Sequence, residues 1–346
     1  MTEFDETQEQ EFTQPPEIIA AAYGGDPDWA RAILEQDPSQ TETRDDFLGT
    51  TPLIIACHRW ATQRGFRELV EVLLEAGADV NGRELASGTT PLHWAAEAGN
   101  PDLIELLAEK GADLDALDDW YRLGPLGWAT LVDWAPDFRN DRQGAAEKLL
   151  ALDARLDPFS AVLLNESARL RGLLEQDPAA ASQRLGFLGQ GQQPLHLAVV
   201  RGNREMAGVL IDGGADVNAL TGWGLSALAL AYEAKDSAMV DQLGWAGAKA
   251  DLSAALYSGD FAAARSLPLL EDHRFLIHAC VKAGRAKAVE VLLELGADPN
   301  LRVPYVVDDQ PGDLSAVEMA IHGEKGEILR LFQAKGLLTE GDPAES

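Results

Sequence analysis

The chain has 346 residues, and its 28 Lys plus Arg stand against 57 Asp plus Glu, a formal net charge of -29 at pH 7. This acid excess argues against a nucleic-acid surface, which needs cations to release counterions from phosphate. It disfavours anionic membranes and suits a basic protein partner. Hydrophobic residues make up 46% of the chain, so most of it can fold, as two ordinary domains or one long array.

The first 16 residues are acidic and polar and are expected to be flexible. They hold no basic segment followed by an apolar one, so no secretory leader is predicted. No apolar run approaches the roughly 18 residues of a membrane span. The expectation is a cytoplasmic protein that does not enter membranes. From Glu17, EIIAAAYGGDPDWARAILEQDP reads as two short helices around a glycine turn. TTPLIIAC from Thr50 leads to LVEVLLEAGADVN, ending at Asn81, and TTPLHWAA from Thr89 leads to LIELLAEKGADLD, ending at Asp115. A weaker copy opens with GPLGWAT at Gly124 and closes at LDARLDP. QPLHLAV at Gln193 leads to MAGVLIDGGADVN, ending at Asn218, and GLSALALAYEAKD follows at Gly224. ALYSGDFAAARSLPLL comes next, then FLIHACVKAGRAKAVEVLLELGADPN, and last SAVEMAIHGEKGEILRLFQAKG, ending at Gly336. Gly77 and Gly111 lie 34 residues apart, as do Pro91 and Pro125. The pattern predicts about ten helix-turn-helix units over residues 17–338, in two or three blocks, with a flexible acidic tail at 339–346.

Residues 89–115 show why such a stretch makes a unit. Thr90 is placed to cap a helix by accepting an orphan backbone N–H, and Pro91 sits at the first helical position, where its missing donor costs little. Leu92 and Ala95 share a face. Gly99 permits the bend, Leu103, Leu106 and Leu107 form the second apolar stripe, and Gly111 closes the helix in the left-handed region. One unit cannot bury both of its apolar faces, so neighbours must stack.

The strings T-P-L-H-W-A-A at Thr90–Ala96, P-L-H-L-A at Pro194–Ala198 and G-A-D-V-N at Gly77 and Gly214 resemble the ankyrin repeat family. The resemblance implies an all-α, curved solenoid and a noncatalytic binding scaffold, with partners held by turn tips and first helices. The family's histidine is present as His93 and His196, while Ile54, Gly127, Ala229 and Ile277 stand in its slot elsewhere. His278 lies one position beyond the slot.

Little else points to chemistry. There is no C-x-x-C or H-E-x-x-H, so no metal site is read, and no cofactor is expected. GFLGQG at Gly186 lacks the Lys-Ser or Lys-Thr of a phosphate loop. No G-x-S-x-G nucleophile turn appears, so no catalytic residue is assigned. Cys57 and Cys280 sit in apolar stretches and read as buried free thiols.

Aromatic residues in turns are the informative departures, because they bury much area at modest entropic cost and are enriched in binding hot spots. Trp120 and Tyr121 in DDWYRLG and Trp223 in TGWG are candidate partner contacts, as are Trp60, Trp134 and Tyr232 after first helices. Phe47 and Phe187 read more readily as packing residues. Insertions near residues 61–65, from Trp134 to Gly144 and from Val303 to Gly312 depart from the short-loop pattern, and Tyr305 lies in the last. Asp118, Asp119, Asp308 and Asp309 read as solvated turn acids that could meet a partner's Arg or Lys. The favoured reading is a scaffold for a basic protein, monomeric when unbound. The alternatives are an inhibitor or immunity protein for a basic toxin or nuclease, and an enzyme whose site is assembled across repeats.

Overall fold

The computed structural model describes residues 15–58, 66–130, 141–187, 189–307 and 310–338. Those residues fold into twenty α-helices in ten consecutive pairs, and by contacts they divide into two compact units.

The first unit comprises residues 1–118 and 124–155. Its pairs are α1 (Glu17–Gly24) with α2 (Pro27–Gln36), α3 (Pro52–Cys57) with α4 (Phe66–Glu75), α5 (Pro91–Glu97) with α6 (Pro101–Glu109), and α7 (Pro125–Thr130) with α8 (Arg142–Ala151). First helices pack in a row, α1 on α3, α3 on α5 and α5 on α7, while α2 packs on α4 and α6 on α8.

The second unit comprises residues 119–123 and 156–346. Its pairs are α9 (Pro158–Leu163) with α10 (Ser167–Gln176), α11 (Pro194–Val200) with α12 (Arg204–Asp212), α13 (Ala227–Glu233) with α14 (Ser237–Trp245), α15 (Leu252–Ser258) with α16 (Phe261–Ser266), α17 (Leu276–Lys282) with α18 (Ala286–Glu294), and α19 (Ala316–His322) with α20 (Gly326–Ala334). The insertion expected as a loop from Val303 to Gly312 is instead a hairpin. Strand β1 (Arg302–Val307) pairs antiparallel with β2 (Gln310–Ser315), with Arg302 opposite Ser315 and Tyr305 opposite Gly312.

Each pair buries one face of each helix. In α5, Leu92, Ala95 and Ala96 are buried; in α6 the buried stripe is Leu103, Ile104 and Leu107. The expected stripe included Leu106, which is only half-buried, because residues 103, 104 and 107 form a contiguous helical face. Gly99 and Gly111 take positive φ, at 63° and 90°. The ring of His93 joins the cap at Thr90, its Nδ1 accepting from the Thr90 backbone N–H at 3.1 Å and lying 2.8 Å from the Thr90 hydroxyl. Gln193 and His196 repeat the backbone bond at 3.0 Å. Cys57 and Cys280 are buried free thiols, pushed well above the usual thiol range by burial.

Candidate interaction surface

The turns between pairs are built from side chain to backbone bonds. In the first unit, Arg44 donates to the carbonyls of Gly49 and Arg83, the latter at 2.9 Å. Arg83 in turn donates to the carbonyl of Leu117 at 2.8 Å. A guanidinium presents several fixed donors, so one side chain can tie a turn to the next. In the second unit Arg184 does the same, donating to Gly191 and Leu220 carbonyls at 2.8 Å each.

Beneath the first-unit turns lies a buried carboxylate. Glu84 accepts from the Thr50 hydroxyl at 2.7 Å, from Ser87 and from Thr89 at 3.3 Å. Burial raises its pKa, against the pull of those three hydroxyls. Trp94 Nε1 donates to the Thr89 hydroxyl at 3.0 Å and its ring lies 5.3 Å from that of Trp128 and 4.4 Å from His58. With polar groups turned inward, apolar ones are left outside: Phe47, Leu85 and Leu117 are exposed on three successive turns. Asp46, Asp79, Asp113 and Asp115 are exposed on the same turns.

The expected contact residues fall into three sets. Trp60, Trp134, Asp308 and Asp309 lie outside the described residues. Trp120, Trp223 and Asp118 are buried, at 3%, 5% and 2% exposure. Asp118 is therefore not a solvated turn acid: it accepts from Trp128 Nε1 at 3.0 Å. Trp120 lies against Gly186, where a Cβ would overlap the Trp120 carbonyl oxygen, and the Gly186 N–H donates to the Tyr121 carbonyl at 2.7 Å. The glycine of GFLGQG thus serves chain packing. Tyr121, Tyr232 and Tyr305 are half-buried and Asp119 is exposed. Of the whole set, the fold brings together Trp223 and Tyr305, distant in sequence, with ring centroids 6.4 Å apart and planes at 24°.

Leu85 and Leu117 are not among the sequence candidates, which are aromatic residues and acidic turn residues. Their signal was an apolar residue centred in a polar turn, in R-E-L-A and D-A-L-D. Phe47, expected to pack, is 57% exposed. His278 was expected one position past the family's histidine slot. Its Nε2 meets the Leu301 carbonyl at 2.9 Å, as His196 Nε2 meets that of Ala219 at 3.0 Å. His278 therefore fills the structural slot, and Ile277 does not.

Among the described residues no group of three or more His, Cys, Asp or Glu is arranged to hold a metal ion. No described helix is long and apolar enough to cross a membrane. A cluster of the buried Ser226, Ser253 and His273 around the half-buried Asp251 has the residue types of a hydrolase. Its geometry is that of a helix cap: both hydroxyls lie 3.0 Å from Asp251 oxygens, and the Ala254 N–H donates to Asp251 at 2.8 Å.

Repeated helix pairs, histidine bridges and arginine-tied turns define a helical repeat protein. Models of ankyrin repeats match residues 18–118, as three copies, and residues 190–222 and 272–303. The chain carries ankyrin repeats over these segments. Comparison with curated proteins gives no match. Among solved structures, the human ASB11 ankyrin repeat domain is similar at 24% identity, over 68% of this chain and 99% of that chain, with a TM-score of 0.41. Ankyrin repeats are, as a class, protein-binding scaffolds.

Proposed function

We propose that the chain is a noncatalytic scaffold for a basic protein partner, engaged through the exposed turns of the first unit. The observation that carries this reading is the row of Phe47, Leu85 and Leu117, open to solvent on turns that also expose carboxylates. Apolar side chains in polar surroundings supply desolvation energy, while a net charge of -29 speeds encounter with a cationic partner. Asp119, Tyr121 and Tyr232, in the second unit, are further contacts in this reading. Buried Trp120 and Asp118 position turns.

Binding of the purified chain to a panel of purified basic and acidic proteins, at low and moderate salt, tests the proposal. The expected result is saturable binding to one or more basic proteins that weakens as salt rises. Binding confined to neutral or acidic proteins, with no salt dependence, overturns it.

A further inference from the structure

Two cations at the junction of α17 and α18 sit on aromatic rings, and their surroundings differ. Arg285 lies 4.2 Å from the centroid of Tyr257 and is neutralised by Glu233, which accepts from its Nε at 2.8 Å. Lys282 Nζ lies 5.3 Å from the ring centroid of Trp223 and 5.8 Å from that of Tyr305. Lys282 forms no ion pair with the described residues, although the chain carries 57 carboxylates. Its charge is met by two π faces, an attraction that strengthens as water is excluded.

The rings are held by the backbone and the lysine is not. Trp223 stands in a turn wound on the buried Thr221, whose hydroxyl accepts from the N–H groups of Trp223 at 3.3 Å and Leu225 at 3.1 Å. Gly224 then takes a φ of 77°, and a Cβ there would meet the Asp272 carbonyl oxygen at 2.9 Å. Tyr305 is fixed by the β1–β2 ladder. Lys282 is the last residue of α17 and is exposed. Side chains of that kind reorient on a picosecond to nanosecond scale. Trp223 is 5% exposed, with the exposed Lys282 beside it.

We propose that the Trp223–Tyr305 pair is a seat for a lysine or arginine side chain of the basic partner, and that Lys282 occupies this seat in the unbound protein. The inference rests on the reading of the chain as a scaffold for a basic protein, and it names one contact and its regulation. An incoming cation finds the same π faces that Lys282 leaves, and the released ammonium regains water. The seat's apparent affinity is reduced by the fraction of time that Lys282 fills it.

The test uses the full chain with 15N-labelled tryptophan indoles, the Trp223 resonance being assigned from Trp223→Phe. The ligands are N-acetyl-arginine amide, N-acetyl-lysine amide and the uncharged N-acetyl-citrulline amide. Both cations are expected to shift the Trp223 indole resonance, and citrulline to leave it in place. Lys282→Ala is expected to tighten cation binding about five- to tenfold by vacating the seat. Lys287→Ala, which removes a nearby cation paired with Glu290, is expected to change nothing comparable. Tyr305→Leu is expected to weaken binding, and a damaged fold cannot produce the tightening seen in Lys282→Ala. A Trp223 resonance that ignores both cations, or equal gains in Lys282→Ala and Lys287→Ala, overturns the seat. Basic proteins that bind wild type, Lys282→Ala and Tyr305→Leu alike overturn the seat and leave the scaffold reading standing. If no basic protein binds the chain at all, the scaffold reading fails, and the seat's assignment to a partner fails with it.

Discussion

The ring of His196 joins two repeats: its Nδ1 accepts from the Gln193 N–H at 3.0 Å, and its Nε2 donates to the Ala219 carbonyl, 23 residues ahead, at 3.0 Å. The bond accepted at Nδ1 requires the neutral ring. Protonation at Nδ1 would replace the acceptor with a second donor and break the cap. Burial pushes the His196 pKa down from 6.5 to about 4, and His278, with the same outward bond, is lowered for the same reason. The unfolded chain therefore binds protons more readily than the folded one between those values. Stability from His196 is present in full above pH 6.5 and is lost as pH falls toward about 4, by at most about 3 kcal/mol. Thermal unfolding of wild type and His196→Ala checks this. The variant is expected to be less stable at neutral pH, with the gap narrowing near pH 4.

Glu84 should show the opposite slope. The residue is 2% exposed and its pKa is raised, with burial the largest cause. A raised acid favours the folded state below its unfolded pKa, and that contribution is lost as pH rises through the folded one. Glu84→Gln keeps an acceptor oxygen for Thr50 but offers an NH2 group where Ser87 and Thr89 meet the second oxygen. It is expected to cost about 1 kcal/mol or less at neutral pH and to flatten this part of the pH profile. Glu84→Ala leaves buried hydroxyls without their acceptor and is expected to cost about 2–3 kcal/mol. Denaturant titrations at neutral and mildly acidic pH distinguish the two variants. A Gln variant as damaging as Ala would show that both carboxylate oxygens must accept for the turns to hold.

The array was legible because its signals are local. T-P-L-H marks a helix start by Pro geometry, and G-A-D-V-N marks a stop through a glycine of positive φ, such as Gly77 and Gly214 at 95° and 94°. Even weak copies such as GPLGWAT form helix pairs, since packing from neighbours outweighs an imperfect motif. The surface was less legible because exposure is not a local property. Trp120 and Leu85 both stand in polar turns, yet one is buried and the other is 71% exposed. What separates them is where the backbone of another turn passes, and a single turn's sequence does not encode that. The register of His278 differs from the sequence reading because α17 starts at Leu276 after a 3-10 turn over Glu271–His273, which shifts the slot by one residue.

Two glycines offer a matched test of packing against propensity. Gly186→Ala would force a Cβ onto the Trp120 carbonyl and disturb the Gly186–Tyr121 bond. Overpacking of this kind is expected to cost about 1–3 kcal/mol. Gly172 lies inside α10 with nothing within 4 Å of a Cβ. Gly172→Ala is expected to stabilise by about 0.5–1 kcal/mol, since alanine is the better helix former. Opposite shifts in the unfolding midpoint would support this account. Equal shifts would mean that the Asp119–Leu123 segment yields to the added methyl.

The exposed turns make the sharpest functional prediction. Phe47, Leu85 and Leu117 are exposed at 57%, 71% and 50%, so replacing them removes little core. The turns are tied through backbone at or beside these residues: Arg83 holds the Leu117 carbonyl, and the Ala86 N–H donates to the Leu48 carbonyl at 3.1 Å. Phe47→Ser, Leu85→Ser and Leu117→Ser together are therefore expected to shift stability by less than about 1 kcal/mol. The same changes leave the net charge at -29, so long-range attraction and its salt dependence persist. What they remove is apolar area at the centre of the proposed contact, where hot spots concentrate. The expected result is an association rate close to wild type, dissociation faster by tenfold or more (about 1.4 kcal/mol or more), and an unchanged melt. Measuring both rates against a basic partner identified from the protein panel separates the terms. Unchanged dissociation would place the contact away from these turns, and a slowed association alone would point to steering without apolar docking.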